Sequence, residues 1–230
     1  QRQMCIRDRK VGMIKDLYDT YAVVRQVFEE ADDSLGFSLT KLCFEGPDEE
    51  LMKTYNTQPA ILTASTACCR ILAAEGLQPD IVAGHSLGEY SALVAAGALS
   101  FADAVRTVRK RGQYMQEAVP LGEGAMAAIL GLDEEKIKDI CAAVSARSGV
   151  VEAVNFNCPG QIVIAGSTKA VEQAVEDMKG AGAKRAVMLH VSAPFHSSLM
   201  KPAAERLAEV LDTITCLLYT SDAADDRISV

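Results

Sequence analysis

Hydrophobic and polar positions follow a helical rhythm over roughly the first half of the chain. Apolar residues recur there at three- and four-residue spacing, which is typical of amphipathic helices. Thr57-Gln58-Pro59-Ala60 reads as a helix start, in which Thr57 can cap and Pro59 suits the first turn. We predict helices over 11–31, 60–74, 91–99 and 101–119, a short helix from 48 to 55, and a short helical or extended piece over 37–43.

The rhythm changes after the glycine-rich hinge Pro120–Gly124. Strands are predicted over 125–130, 150–156, 161–165 and 184–191, and helices over 133–146 and 168–181. This β-α-β-β-α-β order is typical of a ferredoxin-like unit. We therefore expect a ferredoxin-like small subdomain over 122–191, inserted in a larger α/β subdomain that covers 10–121 and 192–215 and includes a last helix over 199–214.

One segment of the larger subdomain combines a strand pattern and a helix start. Ile81-Val82-Ala83 predicts a short strand of a parallel sheet, and Gly84-His85-Ser86-Leu87-Gly88 fits the G-x-S-x-G nucleophile elbow of the α/β-hydrolase type. Such an elbow exposes the Ser86 hydroxyl and turns the Leu87 amide, at a helix N-terminus, towards an oxyanion. A chance match in a loop is the alternative, which the apolar strand before and the helical pattern after it disfavour.

Composition narrows the class of protein. The chain has 230 residues, 49% of them hydrophobic, which is ample for a large core. A formal net charge of −8 argues against a general nucleic-acid binder. No apolar run approaches the roughly 20 residues of a membrane helix. The seven cysteines are odd in number and form no C-x-x-C, so we expect reduced thiols in a cytoplasmic protein.

The two ends of the sequence share an unusual relation. Codons for residues 216–221 can be written so that their reverse complement encodes Met4-Cys5-Ile6-Arg7-Asp8. The two ends of the protein can therefore be encoded by opposite strands of one short DNA segment. This relation indicates a translated sequencing adaptor. We therefore expect 1–9 and 216–230 to be adaptor-like artefacts and 10–215 to be a fragment of a longer protein.

A serine nucleophile needs a base, and three histidines are candidates. His85 adjoins Ser86 on the elbow and should point away from it, and His190 falls in a predicted strand. His196 follows a strand in a proline-containing loop, the setting in which catalytic groups concentrate. No carboxylate between Ser86 and His196 stands out as an orienting acid, so we predict a Ser-His pair. The acidic residues considered there are Asp103, Asp133, Asp139, Glu152 and Asp177.

Arg111 is the cation that faces the packed side of its helix. At about 100° per residue it lies close to the apolar stripe formed by Val108 and Met115. A buried guanidinium needs an anionic partner. The partner is either a structural one such as Glu89 or the carboxylate of a substrate, and the helix geometry leaves both open. Gln58 could likewise reach a site or act only as a local cap.

These motifs together closely resemble malonyl-coenzyme A:acyl carrier protein transacylases over almost all of residues 10–215. The resemblance implies a ping-pong reaction in which Ser86 attacks the malonyl thioester, His196 acts as general base, and the Leu87 amide supplies half of the oxyanion hole. Arg111 aligns with the arginine that binds the malonyl carboxylate. The motifs are Thr57-Gln-Pro-Ala60, Gly84-His-Ser-Leu-Gly-Glu-Tyr90, Arg111-Gly-Gln-Tyr-Met-Gln-Glu-Ala118, Gly124-Ala-Met-Ala-Ala128, Asn155-Phe-Asn-Cys-Pro-Gly-Gln161 and Phe195-His196.

Several expectations follow from the resemblance. We assign substrate binding to Arg111, Gln58 and His85, expect no metal and no cofactor, and expect malonyl-coenzyme A and acyl carrier protein as partners of a monomer. The Phe195-His196 pair resembles the malonyl-selective form of the family. The family's Gly-Gln-Gly-Ser-Gln loop, which supplies the second oxyanion donor, is absent from this sequence.

Three other classes of function stay open from the sequence. One is an acyltransferase domain of a polyketide or fatty-acid megasynthase, and another is a serine esterase that would not need Arg111. The third is a catalytically impaired fragment that only docks an acidic carrier protein. A local positive patch for such docking could be formed by Arg106, Arg109, Lys184, Arg185 and Lys201.

Overall fold

The computed structural model describes residues 10–120, 122–189, 191 and 193–217. The predictions made for residues 1–9 and 218–230, and for His190, lie outside the described residues. The chain divides into two compact units. The described residues up to Gln113, together with those from Leu207 onward, form unit 1, and Tyr114–Arg206 form unit 2. The subdomain boundaries expected at 121/122 and 191/192 stay a prediction.

Helices form the regular structure of unit 1 in its described residues. Helices α7 and α10 contribute residues to both units. The bounds are α1 Lys15–Thr20, α2 Ala22–Leu35, α3 Leu39–Glu45, α4 Asp48–Met52, α5 Thr54–Ala74, α6 Gly88–Ala95, α7 Phe101–Ala118 and α10 Lys201–Leu211.

The core of unit 1 forms where α2 packs on α5, around the fully buried Phe28. The Phe28 ring meets Tyr18 edge to face, with centroids 5.5 Å apart, and Phe44 at 5.1 Å. Aromatic pairs at such distances stabilise a core beyond the area they bury.

The single helix predicted over 11–31 is wrong, because the chain breaks between α1 and α2 at Tyr21. Tyr21 has extended backbone angles, and its side chain is exposed. The carbonyls freed at the end of α1 are taken up by Arg25, whose Nη1 donates to Tyr18 O at 2.8 Å and to Asp19 O at 3.1 Å. A side chain from the next helix therefore caps the helix that ends here.

The parallel sheet expected in the larger subdomain is not found among the described residues. Residues 81–84 form no strand, and Ile81 is 89% exposed. Within the described chain, no backbone group from Gln78 to Gly84 hydrogen-bonds to another backbone group. A strand exists only when a neighbouring strand pairs with its N–H and C=O groups, and local strand propensity cannot replace that partner.

Unit 2 contains the β-α-β-β-α-β order predicted from the sequence, and the chain is of the α/β class. The sheet is antiparallel throughout, with strand order β2-β3-β1-β4. Ile164 of β3 lies opposite Ala127 of β1 and Ala153 of β2. The elements are β1 Gly124–Leu130, α8 Glu134–Ser148, β2 Val151–Cys158, β3 Gln161–Ser167, α9 Thr168–Gly180 and β4 Arg185–Met188, followed by the 3₁₀ turn Ser198–Met200.

Both faces of the sheet in unit 2 are covered. On one face Ile162 and Ile164 of β3 pack against α8 and α9. On the other face Val163 and Ala165 pack with Met126 and with Phe195, which lies just before His196. This explains why β3 is apolar at successive positions instead of alternating. It also means that the sheet supports the loop that carries His196.

Within the described part of the chain, no helix combines the length and the apolar character needed to cross a membrane.

Candidate active site

Ser86 sits at a sharp turn with φ = 53°, in the left-handed region that residues other than glycine seldom adopt. Gly84, two residues earlier, crosses the start of α6 so closely that a Cβ there would lie 1.9 Å from the Gly88 carbonyl carbon. The backbone therefore requires glycine at this position. A strained serine on a tight turn that opens a helix is the geometry expected of a nucleophile elbow.

The peptide after Ser86 opens α6. Leu87 is the residue before the helix, and α6 runs from Gly88 to Ala95, which is earlier than the predicted 91–99. The Gly88 amide donates to His85 O at 2.9 Å and the Glu89 amide donates to Ser86 O at 3.1 Å. Among the described residues, no backbone carbonyl accepts from the Leu87 amide. An amide in this place can donate to an oxyanion that forms beside Ser86.

The buried guanidinium of Arg111 lies directly beside the elbow. Its Nη2 is 3.3 Å from Ser86 Oγ, and its Nη1 donates to Gln58 Oε1 at 2.7 Å. Arg111 is only 2% exposed and Gln58 only 5%. Three residues singled out in the sequence, Ser86, Arg111 and Gln58, therefore come together within unit 1.

No acidic side chain forms an ion pair with Arg111 among the described residues, and its Nε has no hydrogen-bond partner there. Glu89, considered as a structural partner, acts on it only through space. Burial lowers the pKa of Arg111 from its ordinary value, and the nearby Tyr90 and Glu89 oppose this change. Arginine stays protonated in proteins, so a buried cation with an unused donor faces the nucleophile.

Tyr90 lies under the guanidinium, with the ring centroid 5.9 Å from Arg111 Cζ. Its hydroxyl is buried and has no hydrogen-bond partner in the described residues. Burial raises the pKa of the Tyr90 phenol above its ordinary value. A neutral aromatic face therefore lies beside a cation that forms no ion pair among the described residues, an arrangement that attracts the cation without neutralising it.

Arg111 reaches Gln58 because α7 approaches α5 very closely. A Cβ on Gly112 would lie 2.5 Å from Tyr55 Cα and 2.8 Å from Thr54 O. Next to this contact, Arg109 Nη1 donates to Tyr55 O at 2.8 Å. Pro59, inside α5, has no N–H to offer to that carbonyl. The register of α5 and α7 is therefore set by two features. One is the small size of Gly112, and the other is the Tyr55 carbonyl, which Pro59 leaves without a helical donor.

The start of α5 differs from the sequence prediction. The helix begins at Thr54, three residues before the predicted cap, and the Thr57 hydroxyl donates to Leu51 O at 2.6 Å. Gln58 therefore lies one full turn inside the helix, and its Nε2 donates to Thr54 Oγ1 at 3.0 Å. The reading of Gln58 as a local cap is therefore wrong.

His196 lies in unit 2, in the loop between β4 and the 3₁₀ turn, with φ = 64°. The loop is fixed on both sides of it. Pro194 lies so close to Gly124 that a Cβ on the glycine would be 2.2 Å from Pro194 Cδ. The Ser198 amide donates to Glu152 Oε2 at 2.6 Å. Glu152, considered in the sequence as a possible orienting acid, thus holds the backbone two residues after His196.

The sequence analysis missed Thr54, Tyr90 and Gly112 as residues that shape the site. Thr54 could have been found from its four-residue spacing to Gln58, had the helix start been placed correctly. Gly112 could have been noticed as a helix-interior glycine, which a close approach often explains. Among the described residues, no cluster of three or more His, Cys, Asp or Glu side chains lies where it could hold a metal ion.

Comparison with known proteins agrees with this geometry. The profile of the acyl transferase domain matches residues 9–224. The malonyl CoA-acyl carrier protein transacylase of Bacillus subtilis is 59% identical over 202 residues, which cover 88% of this chain and 64% of that protein. The transacylase of the same name from Escherichia coli is 55% identical over 206 residues, covering 89% of this chain and 66% of that protein. The chain thus spans slightly less than two thirds of these relatives.

Solved structures share the fold. A malonyl-transacylase in complex with the acyl-carrier protein of a type II PKS superposes with a TM-score of 0.87 at 53% identity, over 90% of this chain and 67% of that one. An acyl carrier protein S-malonyltransferase from Vibrio cholerae gives 0.85 at 53% identity, over 90% and 68% of the two chains. The identities of 53% to 59% in these comparisons, and a family match over residues 9–224, agree with the Ser86 elbow. The chain therefore belongs to the acyl transferase domain family.

Proposed function

We propose that the chain transfers a malonyl group from malonyl-coenzyme A to the phosphopantetheine thiol of acyl carrier protein, through a malonyl ester on Ser86. The observation that carries this proposal is the buried guanidinium of Arg111, 3.3 Å from Ser86 Oγ and without an acidic partner in the described chain. A cation in that place matches an acyl group that ends in a free carboxylate. A neutral acyl group would leave its charge buried and unpaired.

The proposed reaction has two half-reactions. His196 takes the proton from Ser86, whose oxygen attacks the thioester carbonyl, and the Leu87 amide stabilises the oxyanion. The carbon–sulfur bond then breaks, and the coenzyme A thiolate leaves with the proton from His196. In the second half-reaction the carrier thiol attacks the malonyl-serine ester, His196 again moves the proton, and Ser86 is regenerated.

The relatives support both the acyl group and the acceptor. Those from Bacillus subtilis and Escherichia coli are named for malonyl transfer between coenzyme A and acyl carrier protein, and one solved relative holds a carrier protein. His85, on the strained turn before Ser86, is proposed with Arg111 and Gln58 to contact the substrate. We propose further that the chain acts as a cytoplasmic monomer and needs no cofactor beyond the phosphopantetheine of its partner.

Intact-protein mass spectrometry after mixing with malonyl-coenzyme A tests the proposal. The chain should gain one malonyl group, and the Ser86→Ala variant should gain none. Adding phosphopantetheinylated carrier protein should then remove the group from the chain and place it on the carrier. A malonyl group on Ser86→Ala, or acylation by neutral esters that is independent of Arg111, would contradict the proposal and favour an esterase.

A further inference from the structure

The proposed function leaves one buried contact unexplained, and the inference drawn from it rests on that function. We propose that Thr54 is a positioning residue for carboxylate recognition. Through Gln58 it fixes the guanidinium of Arg111, so that the edge formed by Nε and Nη2 meets the carboxylate of the acyl group.

The hydrogen bonds of Arg111 identify that edge. A guanidinium can hold a carboxylate with two parallel bonds either through Nη1 and Nη2 or through Nε and Nη2. Nη1 is already engaged by Gln58 Oε1 at 2.7 Å. Nε is buried without a partner in the described residues, and Nη2 makes only a long contact of 3.3 Å with Ser86 Oγ. A carboxylate on the Nε and Nη2 edge would therefore sit next to the nucleophile.

The orientation of the Gln58 amide determines whether this edge stays available. Its oxygen accepts from Arg111, whereas a half-turn of the amide would point its NH₂ group at the cation. The Thr54 hydroxyl oxygen accepts a hydrogen bond from that NH₂ group at 3.0 Å. This bond favours the orientation in which the amide oxygen of Gln58 faces Arg111. Without the hydroxyl, the amide would lose this hydrogen bond, and a rotation of the amide would release Nη1 of Arg111.

The contact between Thr54 and Gln58 is buried, which limits the access of water to it. Thr54 is 4% exposed, and the contact of Gly112 with Thr54 O and Tyr55 Cα closes the space between α5 and α7. Thr54 and Gln58 are one helical turn apart, so both point to the same side of α5. A continuous buried chain of hydrogen bonds thus runs from Thr54 through Gln58 and Arg111 to Ser86.

The test compares three substitutions on α5 in a Ser86→Ala background, in which ligands bind without reacting. Thr54→Val removes the hydroxyl at nearly constant volume, and Thr54→Ser keeps it. Thr63→Val is the matched control, because Thr63 is also buried on α5 and its hydroxyl also makes one hydrogen bond, to Pro59 O at 2.8 Å. Isothermal titration calorimetry gives the affinity for malonyl-coenzyme A and for acetyl-coenzyme A, which lacks the carboxylate.

We expect Thr54→Val to lower the ratio of malonyl to acetyl affinity by about tenfold, the effect of one charge-assisted hydrogen bond. Acetyl-coenzyme A should bind to Thr54→Val as it does to the parent. Thr54→Ser and Thr63→Val should keep the parent ratio. An equal loss for both ligands in Thr54→Val would indicate a merely structural role and would overturn the inference, as would an unchanged ratio.

The proposed function is tested separately by malonylation of the unmodified chain. If that chain takes up no malonyl group while the malonyl preference depends on Thr54 as expected, the positioning role stands and the transfer reaction fails. If the chain is malonylated and the ratio of malonyl to acetyl affinity does not change in Thr54→Val, the reaction stands and the positioning role fails. A parent protein that binds both ligands equally would overturn the positioning role, because no carboxylate would then be recognised.

Discussion

At the scale of single residues, the site depends on the buried Arg111, which forms no ion pair with an acidic side chain in the described part of the chain. Arg111 is held by an amide oxygen and an aromatic ring, neither of which cancels its charge. An acidic partner would have stabilised the free protein but would have competed with a substrate carboxylate. The arrangement therefore reserves the electrostatic interaction for a ligand.

Replacing Arg111 by lysine tests how much of the carboxylate recognition depends on the planar guanidinium rather than on its positive charge. An ammonium can neutralise a carboxylate, but it cannot bond Gln58 and offer two parallel donors at the same time. We expect Arg111→Lys to lower the rate of malonylation at limiting malonyl-coenzyme A by about 10- to 100-fold. Acylation by acetyl-coenzyme A should fall less, and stopped reactions followed by intact-protein mass spectrometry would measure both. Equal losses for the two substrates would argue against bidentate recognition.

Two buried thiols make a second prediction at this scale. Burial raises the pKa of Cys43 and of Cys141 from 9.0 to about 12. At pH 8 only about one thiol in 10⁴ would then be a reactive thiolate. We expect iodoacetamide to label the exposed Cys158 while it spares these two, as peptide mass spectrometry would show. Rapid labelling of Cys43 or Cys141 without denaturant would contradict their burial.

The same shift gives the sign of a stability change at high pH. Because the folded-state pKa values of Cys43 and Cys141 lie above 9.0, the folded protein favours the neutral thiols. Their contribution is fully present below about pH 9 and is lost as the pH rises towards 12. The free energy of unfolding should fall over that range, and the slope should be smaller in a Cys43→Ala, Cys141→Ala variant.

At the scale of helices, the contact between α5 and α7 depends on a proline inside α5. Pro59 leaves the Tyr55 carbonyl without a helical donor, and Arg109 of α7 occupies it. The Arg109 guanidinium also lies 4.8 Å from the ring centroids of both Phe37 and Tyr55. The Tyr55 carbonyl, which has no helical donor within α5, thus accepts a hydrogen bond from α7 instead.

A double-mutant cycle tests this interpretation. Arg109→Ala should lower the free energy of unfolding by about 2 kcal/mol, through the lost hydrogen bonds to Tyr55 O and Asn56 Oδ1 and the two ring contacts. Pro59→Ala supplies an N–H for the Tyr55 carbonyl, so it should stabilise the Arg109→Ala variant more than the parent, by about 1 kcal/mol. Urea unfolding of the four proteins measures the coupling. Strictly additive effects would mean that the carbonyl does not link the two residues.

The elements that the sequence predicted well are those whose signals are local. The strands and helices of unit 2 follow from alternation, helical spacing and turns such as that after Cys158. The inward face of Arg111 follows from its angle on α7. The partner of Arg111 could not be predicted, because Gln58 reaches it only through the approach of Gly112 to Tyr55. The strand expected at Ile81 failed for the same kind of reason, since pairing is not encoded in the strand itself.

At the scale of the whole molecule, each compact unit has a core of its own. Phe28 is fully buried in the core of unit 1, and Ile164 is fully buried in the core of unit 2. Neither residue shares a hydrophobic cluster with the other. Local stability can therefore differ between the two halves of the chain.

Core truncations in the two units should act separately. Phe28→Ala should destabilise unit 1 by about 3–5 kcal/mol, and Ile164→Ala should destabilise unit 2 by about 2–5 kcal/mol. Hydrogen exchange followed by mass spectrometry should show faster exchange in the unit that carries the substitution, with smaller changes in the other. Equal loss of protection in both units for either variant would show that the chain unfolds as one cooperative body.

The stretch at Ile81, which pairs with no other backbone in the described part of the chain, has a practical consequence for anyone who handles the protein. Val82 lines a cleft of about 510 Å³ together with Leu72, Leu77 and Leu99, and Ile81 beside it is highly exposed. Backbone groups that have no strand partner among the described residues, next to apolar side chains, are a template for the same segment of another molecule. Storage time should therefore shorten as the sample is concentrated, with the loss visible as turbidity. An Ile81→Lys substitution should keep such samples clear for longer.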